Sequence, residues 1–293
     1  VKGEEQLWGI LNEKLEMLRV GQRLTEALRV SETMLQLAER TFPRQHPSLA
    51  LSYERLGQIY DQLGKPAEAR PYLIKALRII EASEPADQSA IYRLARRAAY
   101  LSDAPGHEEE AVIFYEQAIQ AATALGNVSH SDLGTMLNNV ALIYRRSGRQ
   151  KAAEPYYKHA LDLYEKQLGP EHPDVAAVLN NLGVFYTNEG RLEEAERMHQ
   201  RALAIRTKAK PKGSADIAQS NCNLAVVYHS RGDLVRAEEL YRESLRNWEG
   251  MEKPPEDYQI VASNYADLLR SLGKKRKAAA IESRARRRRA ATR

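Results

Sequence analysis

Seven histidines, one cysteine and several carboxylate pairs are the groups in this chain that could carry out chemistry. A metal centre or an acid–base site needs such groups at spacings that bring them to one face of an element. His46, His107, His130, His159, His172, His199 and His229 form no His-Glu-x-x-His or other paired ligand spacing. His46 and His172 recur because the segment around them recurs, each followed by a proline, 126 residues apart. Glu193-Glu194 and Glu238-Glu239 fall in the first turns of predicted helices, where carboxylates complement the helix dipole. Cys222 has no histidine placed to activate it, and a lone cysteine forms neither an internal disulfide nor a thiolate cluster. The nearest thing to a phosphate loop, Gly57 to Gly64-Lys65, has six residues between its glycines instead of four, and helix where a loop is required. The expectation is a non-enzymatic protein: no catalytic residue, no metal and no cofactor.

The chemistry that does recur is that of the amide. "LNNVALIYRRSGRQKAAEPYYKHAL" (137–161), "LNNLGVFYTNEGRLEEAERMHQRAL" (179–203) and "NCNLAVVYHSRGDLVRAEELYRESL" (221–245) follow one another at 42-residue steps. Asn139, Asn181, Asn223 and Asn264 share one position, with Asn138 and Asn180 beside the first two. At about 100° per residue, Asn181 lies about 150° from the stripe formed by Leu179, Leu182, Gly183 and Tyr186, so it faces away from the core. Asparagine is a poor helix former, and its amide offers one acceptor and two donors, enough to pair both backbone groups of an extended peptide. The alternative is bonding across to neighbouring helices, or simple inheritance from one ancestral unit. Leu142, Val184 and Val226 take the next outward position, as an interaction surface would, or pack on the following repeat. Arg55 and Arg97 stand at the asparagine position itself, with Arg145, Arg146, His229 and Arg270 on or beside the same face. Asp61, Asp103 and Asp267 oppose them. Guanidinium groups pair carboxylates bidentately, which suits an acidic, apolar-bearing peptide; the plainer alternative is solvated surface charge.

The elements that must position these residues are periodic. Gly64, Gly106, Gly148, Gly190, Gly232 and Gly273 step by 42 or 41, and Ala69, Ala111, Ala153, Ala195, Ala237 and Ala278 follow five residues behind. Ala27 extends the series to seven units, although Gly21 is displaced by one. A period of this length is the signature of a solenoid. Within a unit, apolar offsets of 3 and 4 predict two helices, A and B, broken at the glycine. Small residues such as Gly183 and Ala195 let the two approach. In "GPEHPDVA" (169–176) two prolines stop helix B, and Asp174 is expected to cap the next helix A. "RLARRAAYLSDAPG" (93–106) is ambiguous in register, with Ser102 where tyrosine is expected. No segment reads as a strand.

These residues resemble the tetratricopeptide repeat. The family's large residue, Leu-Gly-x-x-Tyr and Ala-x-x-x-Tyr-x-x-Ala map onto Leu179, Leu182, Gly183, Tyr186, Ala195, His199 and Ala202. They map equally onto Tyr53, Leu56, Gly57, Tyr60, Ala69, Leu73 and Ala76, with the second aromatic replaced by His199 and Leu73. The 42-residue period and "LGPEHPDVAAVLNNLG" look more narrowly like the kinesin-light-chain type. The resemblance implies an all-α, right-handed solenoid of seven helix pairs, with each helix A lining a concave groove. It also implies asparagines that grip ligand backbone, and an extended acidic and apolar peptide as ligand. The expected division is an N-terminal degenerate repeat or cap over 1–48, repeats over 49–91, 92–133, 134–175, 176–217 and 218–258, and a C-terminal capping repeat with a polybasic tail over 259–293.

Charge separates the tail from the body. From Gly273 onward ten Lys or Arg stand against one acid, Glu282, a balance of +9; the net charge of +5 leaves −4 for the rest. A basic tail is a candidate for nucleic acid through counterion release, but it lacks the interleaved aromatics of a stacking platform, and its first half reads as the last helix B. No apolar run reaches the roughly 18 residues of a membrane span, no secretory signal opens the chain, and the single cysteine suits a reducing, cytoplasmic compartment. The chain starts at Val1, which fits a piece of a larger protein. Two further readings stay open beside the peptide scaffold: the sensor array of a larger signalling protein, and a self-assembling array.

Overall fold

The computed structural model describes residues 2–209, 214–251 and 257–291, with side chains omitted for 289–291. The chain is an all-α solenoid of helix-turn-helix pairs, and no strand occurs among the described residues. It divides into two compact units, residues 1–149 and 150–293. The first holds α1 (Lys2–Val20), α2 (Leu24–Thr41), α3 (Pro47–Gln62), α4 (Pro66–Glu81), α5 (Gln88–Ser102), α6 (Glu108–Leu125) and α7 (His130–Arg146). The second holds α8 (Gln150–Leu168), α9 (Pro173–Asn188), α10 (Leu192–Ala209), α11 (Ala215–Ser230), α12 (Leu234–Glu249), α13 (Tyr258–Ser271) and α14 (Lys275–Ala291).

The periodic glycines make the turns. Gly64 has φ +70°, its N–H bonds Asp61 O at 3.0 Å, and the following N–H of Lys65 bonds Tyr60 O at 2.9 Å. That is the Schellman closure, which needs a left-handed residue one past the helix cap. Gly148, Gly190, Gly232 and Gly273 repeat it with φ between +73° and +82°. The first turn keeps the register despite the displaced Gly21. There Gln22 takes the left-handed position at φ +56°, and Arg23 N–H bonds Leu18 O at 2.9 Å. The ambiguous third pair also keeps the period, with Ser102 fully buried and its hydroxyl accepting from Arg70 Nε at 2.8 Å.

Pro47 and Pro173 sit in the first turns of α3 and α9, where a missing N–H costs nothing. The cap is two residues earlier than expected. His172, not Asp174, is the N-cap of α9, and its Nδ1 accepts from Asp174 N–H at 3.2 Å. His46 does the same for Ser48 N–H at 3.1 Å. A ring nitrogen two atoms from Cβ reaches the orphan donor as an Asp oxygen would, so the recurring His-Pro is a capping device.

Two of the pairs, α3–α4 and α9–α10, close on a glycine. A Cβ on Gly57 would stand 2.6 Å from Leu73 Cδ2, and one on Gly183 would stand 2.6 Å from His199 Cε1. In the second unit, consecutive pairs are also clamped by a repeating glutamate on helix B. Glu154 accepts from Tyr186 Oη at 3.1 Å and Arg191 Nη1 at 2.8 Å. Glu196 accepts from Tyr228 Oη at 2.7 Å and pairs with Arg231, and Glu238 takes Lys274 Nζ at 2.5 Å. Arg191 holds the Glu154 carboxyl down to about 2, with Lys158 and Tyr186 assisting.

Candidate functional site

In the second unit, α9, α11 and α13 place Val184, Val226, Asn223 and Asn264 around one cleft of about 300 Å³, with Asn188, Cys222 and Ile260. These positions meet because outward residues three and four apart on successive A helices line up when the helices stack. Val184 and Val226 are half-buried, whereas Ile260 stays 60% exposed at the rim. Asn223 is already engaged. Its Nδ2 donates to Asn180 Oδ1 at 2.6 Å, and its Oδ1 accepts from Gln219 at 3.1 Å. One N–H and one lone pair remain for a ligand. Asn264 makes no side-chain hydrogen bond among the described residues, while Asn181 is half-buried, has a partner, and does not line the cleft. Cys222 forms part of the floor, where burial pushes its thiol up to about 12, so no reactive thiolate stands there.

The first unit carries a larger cleft, about 650 Å³, between α3, α5 and α7. Asn139 lines it and donates to Tyr115 Oη at 3.0 Å, so this amide too binds a neighbouring helix. Asn138 beside it is half-buried and has a partner of its own. Three arginines of α5 line the same cleft, each held by a carboxylate. Arg93 meets Glu54 bidentately at 2.9 and 3.0 Å, Arg96 meets Asp132 at 3.0 Å, and Arg97 meets Asp61 with Nε at 2.6 Å. Arg97 also lies 4.6 Å over the ring of Tyr100, which is 61% exposed. Sequence reasoning placed Arg97 here and missed Tyr92, Arg93, Arg96 and Tyr100. The signal was "YRLARRAAY" (92–100) itself, whose register is ambiguous in the sequence.

The arginines expected to meet acidic ligand groups are mostly occupied. Arg146 pairs with Asp103, Arg270 with Asp267 and Glu282, and Arg55 with Glu16. Arg145 alone of this set has no ion pair among the described residues, and it is half-buried beside the half-buried Leu142. His229 packs edge-on against Tyr241 at 6.3 Å. In the tail, Lys274 binds Glu238, Arg284 binds Glu249 and Arg288 donates to the Glu249 carbonyl. Part of the basic run is thus structural; Thr292 and Arg293 lie outside the described residues. No three His, Cys, Asp or Glu among the described residues are grouped to hold a metal, and no described helix is long and apolar enough to cross a membrane.

A family model matches over these helix pairs. The tetratricopeptide repeat model matches residues 14–82, 106–166, 132–208 and 174–250. The chain belongs to the tetratricopeptide repeat (TPR) family. Among solved structures, BtubC (BKLC) from P. vanneervenii is 29% identical with a TM-score of 0.60, over 80% of this chain and 94% of that one. A TPR protein from Parabacteroides merdae is 20% identical with a TM-score of 0.57, over 79% and 77%. The signal transduction ATPase with numerous domains (STAND) from Pyrococcus horikoshii, which carries a TPR sensor, is 18% identical with a TM-score of 0.63. That likeness covers 93% of this chain and 41% of the ATPase. None of the curated proteins matches the chain.

Proposed function

We propose that this TPR chain is a non-enzymatic scaffold that binds an extended peptide along the outward faces of its A helices. The observation that carries the reading is the cleft of the second unit, where amides and branched aliphatics from three successive A helices face one space. Asn223 and Asn264 take ligand backbone, and Val184, Val226 and Ile260 take apolar side chains. In the first unit, Asn139 and the arginine–tyrosine cleft of α5 play the same part. An acidic ligand group uses Arg145 directly. Elsewhere it competes with an internal carboxylate or takes the guanidinium N–H groups left over, since each guanidinium has five. We assign the repeats to the kinesin-light-chain type on their 42-residue step and helices of 14 to 19 residues. A second reading, the recognition array of a larger signalling protein, draws on the likeness to the TPR-bearing STAND ATPase, which at 18% identity speaks for the fold.

A displayed random-peptide library selected against the chain tests the proposal, beside variants with Asn223 and Asn264 changed to Ala, or Asn139 changed to Ala. Circular dichroism controls for folding. The expected result is enrichment of peptides bearing bulky apolar and acidic residues, with loss of about tenfold or more in affinity on removal of two amides. Equal enrichment by parent and variants makes the amides structural and overturns their assigned role.

A further inference from the structure

The second unit has another cleft, of about 380 Å³, between the B helices α12 and α14. Helix α13 borders both clefts of the unit but turns different residues to each: Tyr265 and Leu269 here, Ile260 and Asn264 towards the amides. Leu245 and Leu269, 3% and 1% exposed, form an apolar floor with the half-buried Ile281. Arg242 and Arg246 stand on one wall, and Lys277 and Arg284 on the other. Arg284 is held by Glu249. The other three cations are exposed and make no ion pair among the described residues. Elsewhere outward arginines such as Arg97, Arg146 and Arg270 each have a carboxylate.

The repeat supplies neither the charge of this cleft nor a cover for it. Its lining carries four cations against one acid, Glu249. One period earlier the same positions hold one cation, Arg236, against Glu239 and Glu243; two periods earlier three cations stand against three acids. Gln200, Ala204 and Thr207 on α10, with Arg236, Glu239 and Glu243 on α12, are all exposed although further helices follow them. Packing of one repeat on the next therefore leaves this face open.

Recessed aliphatic residues between two rows of unpaired cations suit carboxylates and apolar side chains presented together. Arg242 and Arg246 are one turn apart, about 6 Å, and Lys277 and Arg284 two turns, about 10 Å, so the charge runs along the cleft and does not converge on one small anion. Tyr265, the one aromatic among the described lining residues, is 6% exposed and stacked on Tyr241 at 5.8 Å, which leaves no ring face for a base. The apolar groups lie at the bottom of the cleft, whereas a membrane-binding face projects them. We propose that this cleft docks an acidic protein segment in which leucine-like side chains sit among carboxylates. The site is separate from the amide clefts and does not rest on their role.

Fluorescence anisotropy reads the binding of a short labelled peptide in which every third residue is Leu and the rest are Glu. The other probes are the same peptide with Ser for Leu, an oligothymidylate of equal charge, and vesicles of phosphatidylserine in phosphatidylcholine. The Leu-bearing peptide is expected to bind in roughly the micromolar range, and Arg242→Glu with Lys277→Glu to weaken it about tenfold or more. Arg276→Glu with Arg286→Glu makes the same change of charge at exposed positions outside the cleft, and should cost less than about threefold. The Ser peptide should bind about tenfold more weakly, and Asn223→Ala with Asn264→Ala should change nothing. Circular dichroism checks that each variant keeps its helix content. No binding at about 100 μM overturns the proposal. So does equal loss in the two charge-reversed pairs, dependence on the two amides instead, or tighter binding of the oligothymidylate or the vesicles that needs Arg242 and Lys277.

Discussion

Changing Gly183 to alanine measures how closely α9 and α10 approach. The new Cβ would stand 2.6, 2.7 and 2.8 Å from Cε1, Nε2 and Nδ1 of His199, well inside van der Waals contact. The ring cannot swing into solvent: His199 is 1% exposed and hydrogen-bonds to the Gly183 backbone. Either the imidazole leaves its place or the helices part, and overpacking of this kind costs about 1–3 kcal/mol. Alanine's better helix propensity returns about 1 kcal/mol, so a net loss of about 1 kcal/mol is expected. Gly9→Ala is the control, since its Cβ would meet nothing within 4 Å; it should stabilise by up to about 1 kcal/mol. Because repeats unfold locally as well as globally, the assay is amide exchange resolved by helix, supported by urea unfolding. Trp248, buried to 1%, reports on the second unit once Trp8 is changed to Phe. Exchange in α9 and α10 should quicken about fivefold, as 1 kcal/mol dictates. If Gly183→Ala slows exchange there, or raises the urea midpoint as Gly9→Ala does, the close approach at Gly183 is refuted.

Two further predictions concern single residues. Gln22→Gly should stabilise α1 and α2 by about 1 kcal/mol, because a side chain at φ +56° carries the left-handed penalty that glycine avoids; a lowered thermal midpoint would contradict it. Burial, aided by the charge of Arg206, holds His199 down to about 4 from its usual 6.5. The folded state keeps the ring neutral while the unfolded chain protonates it. Stability is therefore complete above pH 6.5 and falls by about 3 kcal/mol as pH drops to 4. His199→Leu, the residue standing at the equivalent position 73, should flatten that part of the pH profile of urea unfolding.

The all-α repeat was legible in the residues because each turn needs one left-handed position and each helix pair one close contact. Glycine meets the first demand at a fixed step, and Gly57 and Gly183 meet the second. Even the first turn, where Gly21 is displaced, obeys the period through Gln22. The side-chain partners of the outward face were not legible. Asn139 on Tyr115, Asn223 on Asn180, Arg146 on Asp103 and Arg97 on Asp61 join residues 24 to 43 positions apart. Which of several outward groups meets which depends on how one helix pair lies on the next. The same holds for the clefts, which are spaces between helices and belong to no single segment. Local geometry repeats with the sequence, so the chain alone determined the turns, the pairs and the family. Contacts between repeats depend on side-chain length and rotamer at both ends, so only the packed structure decided how many of the outward amides and charges are left for a partner.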